Sequence, residues 1–180
     1  MFEYINSLDI EITLFLNSFS NKSLDIIMVL ASNKFVWIPL YLFIISILYK
    51  FKNKKLFINI TICIVAVLIS DFITSSIMKP FFERLRPCHN NELIGIINIV
   101  SGCGGKFGFA SSHASSTFSF ASIVYLLTKK EVKILFLWSV LIGYSRIYLG
   151  VHFFSDVLVG CIVGALTSYL LYRMIKRYEI

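Results

Sequence analysis

Leu56-Phe-Ile-Asn-Ile-Thr-Ile-Cys-Ile-Val-Ala-Val-Leu-Ile-Ser-Asp71-Phe-Ile-Thr-Ser-Ser-Ile-Met78 is an apolar run interrupted chiefly by Asp71 and a few hydroxyl residues. As a helix rising about 1.5 Å per residue, it is long enough to cross a hydrocarbon core about 30 Å thick. Phe35–Tyr49 upstream reads as another span, with Pro39 near its start and Lys50 just past its end. Downstream, Phe118–Leu127 continues from the Ser-rich stretch Ala110–Thr117, and Val132–Tyr144 and Phe153–Tyr172 follow. Residues 1–30 differ: Leu8, Ile10, Ile12, Leu14, Phe15, Leu16 and Phe19 are mixed with Asp9, Glu11 and Asn17. That mixture predicts an amphipathic helix lying at the interface, and the short run Leu24–Ala31 leads from it into the first span. The expected fold class is all-α: a polytopic transmembrane helix bundle of five to six spans, with residues 1–180 as one domain.

Composition agrees. The 180 residues are 57% hydrophobic and 15% charged, against about 45–50% and a quarter in soluble domains. Disorder and a disulfide-dense secreted scaffold are excluded on the same ground. No basic stretch and small-residue cleavage site bracket an apolar core near the start, so a removable signal peptide is not expected.

The net charge of +7 raises nucleic acid as a partner, and its distribution argues against one. Lys50, Lys52, Lys54, Lys55, Lys129, Lys130, Lys133, Arg173, Lys176 and Arg177 fall on one side of a five-span arrangement. By the positive-inside rule that side is cytoplasmic, and the N-terminus and the Met78–Ser112 loop face outward. Lys22 and Lys34 sit near the outer interface. Lys79, Arg84, Arg86, Lys106 and Arg146 remain on the side where topology does not call for cations.

Three outward segments hold most of this unexplained chemistry. Lys79 and Arg86-Pro87 end the second span. Ser111-Ser112-His113 opens the third, after a loop containing Gly102, Gly104, Gly105 and Gly108. Ser145-Arg146, His152 and Asp156 mark the turn into the last. Each has a bland reading: a snorkelling cation, a helix cap, a local i,i+4 pair. Together they outweigh it, because two of the three histidines and three cations reach one face. Arginine forks suit phosphoryl oxygens and lysine supplies a point charge. Ser111, Ser112 and the first amides of the third span add neutral donors at a helix N-terminus. Asp156, four residues beyond His152, can orient and polarise the imidazole, which leaves His113 as a proton donor.

These segments resemble the signatures of the type 2 phosphatidic acid phosphatase family of integral-membrane lipid phosphatases: K-x6-RP, PSGH and SR-x5-H-x3-D. The first and third stand intact as Lys79…Arg86-Pro87 and Ser145-Arg146…His152…Asp156. The second departs, with Ala110 for Pro and Ser112 for Gly, so Ser112 is expected to tighten or re-aim a backbone contact with phosphate. The resemblance implies a cofactor-free and metal-independent hydrolase acting on a lipid phosphate or pyrophosphate. His152, polarised by Asp156, would attack phosphorus to form a phosphohistidine, and His113 would protonate the leaving oxygen. Lys79, Arg86, Ser111, Ser112 and Arg146 would hold the phosphoryl oxygens. Vanadate-dependent haloperoxidases share such a pocket on a soluble scaffold, and the spans argue against that relation here.

Cys88 and Cys103 share the outer loop, where an oxidising compartment permits a bridge worth about 3 kcal/mol in the chain-entropy model. Cys63 and Cys161 read as apolar packing residues. Asp71 is expected to face the bundle and pair with a polar group near the floor of the site. Glu83 and Arg84, inside the arm from Lys79 to Arg86, have two functional readings, steering the arm or contacting a substrate headgroup, which His89 and Lys106 share; the ordinary reading of all four is a solvated loop charge. Phe81, Phe82, Phe107, Phe109, Tyr148, Phe153 and Phe154 ring the site in sequence as interface anchors, with Phe15 and Phe19 as a lip over an entry route. A lipid-phosphate transporter or scramblase is the non-enzyme alternative, but it gives no reason for two histidines and an aspartate. Undecaprenyl pyrophosphate ranks first as substrate, lipid A second, and phosphatidylglycerophosphate or phosphatidate third. The partners are the bilayer and the phosphorylated lipid, and the location a cytoplasmic (inner) membrane with the site facing outward.

Overall fold

The computed structural model describes residues 2–52, 55–129 and 131–178. Two of the cations used for orientation, Lys54 and Lys130, lie outside the described residues, as does the side chain of Lys52. The described regular structure is helical: α1 (Phe2–Asn17), α2 (Lys22–Ser32), α3 (Ile38–Lys52), α4 (Leu56–Phe72), α5 (Lys79–Phe82), α6 (Ser112–Leu127), α7 (Ile134–Tyr148) and α8 (Phe154–Tyr178). A π-type turn, Ile73–Met78, joins α4 to α5, so Leu56–Phe82 is one rod. The loop between α5 and α6 carries two short 3-10 turns and one antiparallel bridge, Leu85 to Phe107.

The rod Leu56–Phe82 and Phe154–Arg177 of α8 are each long and apolar enough to cross a membrane. The span expected at Phe35–Tyr49 differs. It is the second half of a pair, Lys22–Ser32 with Lys34–Lys50, bent by 70°. Asn33 makes the bend: its N–H ends α2 on the Leu30 carbonyl and its Oδ1 accepts from the Phe35 N–H at 3.0 Å. Helix α7 is a shorter apolar helix, and α6 is short and Ser-rich, so length and apolarity identify fewer crossings than the five to six expected.

The serines explain why α6 belongs inside. Ser115 Oγ donates to the Ser70 carbonyl of α4, the Ser119 and Ser168 hydroxyls meet at 2.8 Å on α8, and Ser139 of α7 donates to the Thr117 carbonyl. Hydroxyls that bond between helices need no water, which suits a helix surrounded by helices in lipid. Helix α8 comes closest, through Gly160 and Gly164. A Cβ at Gly160 would stand 2.5 Å from the Ser111 carbonyl oxygen, and one at Gly164 2.1 Å from that of Ser115. Small residues four apart let two backbones touch.

Helix α1 reverses the ordinary amphipathic arrangement. Tyr4, Ile5, Leu8 and Phe15 are exposed, whereas Asp9, Thr13 and Asn17, one above another at i,i+4 spacing, are buried. Thr13 Oγ1 accepts from the Phe154 N–H and Asp9 Oδ1 from the Ser155 N–H, which caps α8 from another helix. Asn17 Nδ2 donates to the Tyr148 carbonyl at the end of α7 and to that of Asn98, and its Oδ1 accepts the Asn98 N–H. Of the three polar residues expected to face water, Asp9 and Asn17 therefore fasten α1 to the bundle, and Glu11 is exposed as expected.

Gly164→Ala should destabilise the protein by about 1–3 kcal/mol, the usual range for overpacking. Cys161→Ala, one turn away, should cost less, as thermal unfolding in detergent would show.

Candidate active site

The end of the α4–α5 rod, the start of α6, the end of α7 and the turn into α8 meet around a cavity of about 430 Å³. Lys79, Arg86, Ser112, His113, Arg146 and His152 line it, all of them expected from the sequence pattern. Lys34 and Asp71 stand on its wall.

His152 is buried at the floor. It does not share a regular helix with Asp156, as the spacing suggested, because α8 starts only at Phe154. The pair forms because Asp156, in the first turn, folds back over the helix start. Its Oδ2 accepts the Phe153 N–H at 3.0 Å and lies 3.3 Å from His152 Nδ1. A carboxylate there also suits the positive end of the helix dipole. On the other side of the ring, Nε2 lies 3.2 Å from Arg86 Nη1. A guanidinium has only donors, so Nε2 carries the lone pair and Nδ1–H points at Asp156. Burial pushes the imidazole below its ordinary range, against the upward pull of Asp156.

The cations are held differently. Lys79 Nζ donates to Ser112 Oγ at 2.8 Å, and Thr74 Oγ1 lies 3.3 Å from the same hydroxyl. Ser112, where the family motif has glycine, thus contributes a side chain that anchors Lys79. Arg146 Nη1 bonds Ser32 Oγ of α2. Ser111 donates its N–H to the Asp156 carbonyl at 2.9 Å, so its own amide is committed to tying α6 to α8. Arg86 Nε, Ser111 Oγ and Arg146 Nε are buried without a hydrogen-bond partner, among the few such atoms of the described residues; Asn59 Nδ2 and Trp138 Nε1 belong to other regions. Arg86 and Arg146 line the cavity and Ser111 does not; two guanidinium groups with unpaired donors suit an anion with several acceptor oxygens.

Two contributors escaped the sequence reading. Arg84, taken for a loop charge, donates through Nη1 to Asp156 Oδ1 at 2.9 Å and through Nη2 to Asp9 Oδ2 at 2.6 Å. Its guanidinium also stacks 4.1 Å over the Phe153 ring. Gly108 is the other: a Cβ there would stand 2.9 Å from Asp156 Oδ2 and 3.2 Å from Arg86 Cγ. Neither carried a signal beyond its place beside the motifs, since both act through contacts distant in sequence.

Among the aromatic residues, Phe81 and Phe82 are exposed and stack in series with Phe109. Tyr148 and Phe153 do not anchor at an interface. Both are buried, and the Tyr148 hydroxyl donates to Asp25 Oδ1 at 2.7 Å. An apolar groove of about 300 Å³ runs between α3 and α4 and shares Tyr41 and Val67 with the polar cavity. His89 and Lys106 are exposed and do not line the cavity. Cys88 and Cys103 are bonded, with Cα atoms 6.1 Å apart.

Residues 59–179 match the PAP2 superfamily. The lipid A 4'-phosphatase of Porphyromonas gingivalis is 34% identical over 96% of this chain and 75% of that protein. The lipid A 4'-phosphatase of Bacteroides thetaiotaomicron is 32% identical over 96% of this chain and 79% of that protein. The crystal structure of Aquifex aeolicus LpxE superposes with a TM-score of 0.68, covering 92% of this chain and 95% of that one at 27% identity.

Intact protein purified without reductant should gain the mass of about two hydrogens on reduction, the signature of one bridge. Alkylation of Cys88 and Cys103 before reduction would contradict the pairing.

Proposed function

This chain belongs to the PAP2 superfamily, and we propose that it is a membrane phosphatase that hydrolyses the phosphate monoester of a lipid A-type glycolipid through a phosphohistidine on His152. The observation that carries this reading is the His152 Nε2 lone pair, set at the floor of a cavity lined by Lys79, Arg86 and Arg146. The order of substrates changes from that expected. Lipid A moves ahead of undecaprenyl pyrophosphate, because relatives matching 96% of the chain are lipid A 4'-phosphatases.

The reaction follows from the arrangement. Arg86 turns Nη1 from His152 onto a phosphoryl oxygen as the phosphate enters. His152 Nε2 then attacks phosphorus in line; the N–P bond forms, the ester P–O bond breaks, and its electron pair leaves on the sugar oxygen. His113 supplies the proton to that oxygen. Asp156 stabilises the charge that the ring acquires, through the Nδ1–H bond. Lys79, Arg86 and Arg146, with the Ser111 hydroxyl, neutralise charge on the equatorial oxygens. Water next attacks phosphorus while His113 takes its proton, the N–P bond breaks, and inorganic phosphate departs. The apolar groove at Tyr41 and Val67 suits acyl chains while the headgroup occupies the polar cavity. The site faces outward from the cytoplasmic membrane in this reading.

His152→Ala should abolish phosphate release from lipid A in detergent micelles while membrane insertion persists, and wild-type activity should survive a chelator. Comparable kcat/KM toward undecaprenyl pyrophosphate would return that lipid to first place. Lipid phosphate moved without phosphate release would favour a transporter.

The pH dependence has a definite sign. The nucleophile works as neutral imidazole, and burial favours that form. The acid limb of kcat/KM, which reports the free enzyme, should therefore fall below the ordinary histidine value of about 6.5. Activity is lost as pH falls through that limb, and it falls again on the basic side where His113 loses the proton it has to donate.

A further inference from the structure

The ionic chain behind His152 does not stop at Asp156. Asp156 divides its two oxygens, Oδ2 toward His152 and the Phe153 N–H, Oδ1 toward Arg84. Arg84 in turn divides its two terminal nitrogens between Asp156 and Asp9. Asp9 is buried although it lies on α1, and it accepts from Arg84 Nη2, the Ser155 hydroxyl and the Ser155 N–H. One guanidinium thus joins three segments: α1, the arm between Lys79 and Pro87, and the start of α8.

We propose that Asp9 and Arg84 are positioning residues of the catalytic site, an Asp9–Arg84–Asp156–His152 relay through which the N-terminal helix holds the nucleophile on its line of attack. The inference rests on the assignment of His152 and Asp156 given under Proposed function.

Geometry supplies the reason. The Phe153 N–H and the His152 ring hold only Oδ2, so the carboxylate could still turn about that oxygen and shift the ring with it. Arg84 blocks that rotation by holding Oδ1. Arg84 is itself held at three places: Nη1 also donates to the Ser155 hydroxyl at 2.6 Å, Asp9 fixes Nη2, and the Phe153 ring at 4.1 Å fixes the plane. Lysine could replace the charge but neither the fork nor the stacking. The α1 carboxylate also closes a charge balance: once the His152 ring acquires charge on attack, it and Arg84 are matched by two anions, where Asp156 alone would serve both.

The groups that face His152 are Asp156 of α8, Arg86 of the arm, Arg146 of α7 and His113 of α6. Arg84 and Asp9 act on it from behind Asp156 and with opposite sign. Removing the Arg84 charge leaves Asp156 a stronger acceptor and favours the imidazolium, so the acid limb should move to higher pH. Removing the Asp9 charge strengthens the claim of Arg84 on Asp156 and should move the limb to lower pH. A role confined to holding the fold together would move neither.

The experiment compares Asp9→Asn, Arg84→Gln and the double variant on lipid A in detergent micelles, recording kcat, KM and the pH profile of kcat/KM. Asp9→Asn should lower kcat about 10-fold with KM nearly unchanged, and Arg84→Gln about 100-fold, the span usual for partners of a reacting group. The double variant should be no worse than Arg84→Gln, because both act through one guanidinium. Asp9→Glu should restore part of the loss. Wild-type kcat in Asp9→Asn, or losses that multiply and follow the folded fraction with unmoved pH limbs, would overturn the relay. Asp9→Asn is isosteric, keeps Oδ1 as the acceptor of the Ser155 N–H and can donate its amide N–H to the Ser155 hydroxyl, so it carries the test if Arg84→Gln does not fold. His152→Ala separates the two ideas. An active His152→Ala sinks the proposed nucleophile; an inactive one beside a normal Asp9→Asn sinks the relay alone.

Discussion

The buried carboxylate of Asp156 is the constraint around which the cavity end of the molecule is built. An ionised group away from water is tolerated only when its lone pairs are taken up. Three groups converge to do so, the His152 ring, the Phe153 amide at the start of α8 and Arg84 from the arm, and the missing side chain of Gly108 leaves the oxygen room. Breaking such a group's partnership by removing one member costs more than the pair contributes when intact. The same contacts that make Asp156 tolerable also aim the imidazole. Stability and chemistry are therefore the same set of bonds here.

A second regularity is the inversion of polarity across the bundle. Serines of α6 bond to α4, α7 and α8, and the polar stripe of α1 faces inward, while phenylalanines and isoleucines point outward. In lipid the outside is the apolar solvent, so helices gain little from burying leucine and more from close backbones and mutual hydrogen bonds. Gly160 and Gly164 provide the close approach. The tight α6–α8 contact sets the distance between Ser111 at one helix start and Asp156 at the other, which the Ser111 N–H to Asp156 carbonyl bond records at 2.9 Å.

The cavity joins two chemistries in one space. One half is cationic, lined by Arg86 and Arg146, whose Nε atoms no protein atom satisfies. Tyr41 and Val67 belong equally to the apolar groove beside it. A phosphate attached to long chains is the molecule that such a combination would hold. Asp71 on the cavity wall sits within this field, its Oδ2 3.4 Å from the Ser75 hydroxyl, and so is a bundle-facing acid.

Much of this was legible in one dimension. Apolar runs of membrane length announce helices, because a segment in lipid must satisfy its own backbone, and that requirement is local. Lys79, Arg86, His113, Arg146, His152 and Asp156 stood out because charged residues gathered at the span ends away from the basic loops have few uses besides an anion site. What could not be read were partnerships between residues far apart in the chain. Asp9 and Asn17 looked like the wet face of an interfacial helix, Arg84 like a solvated charge, Ser112 like a departure from a motif, and α2 with α3 like a prelude and a straight span. Each assumed its role only when another segment arrived: Arg84 and α8 for Asp9, Lys79 for Ser112, the Asn33 bend for the helix pair. Periodicity reports which face of a helix is polar. Whether that face meets water or a buried guanidinium depends on what packs against it, and that is set by the fold.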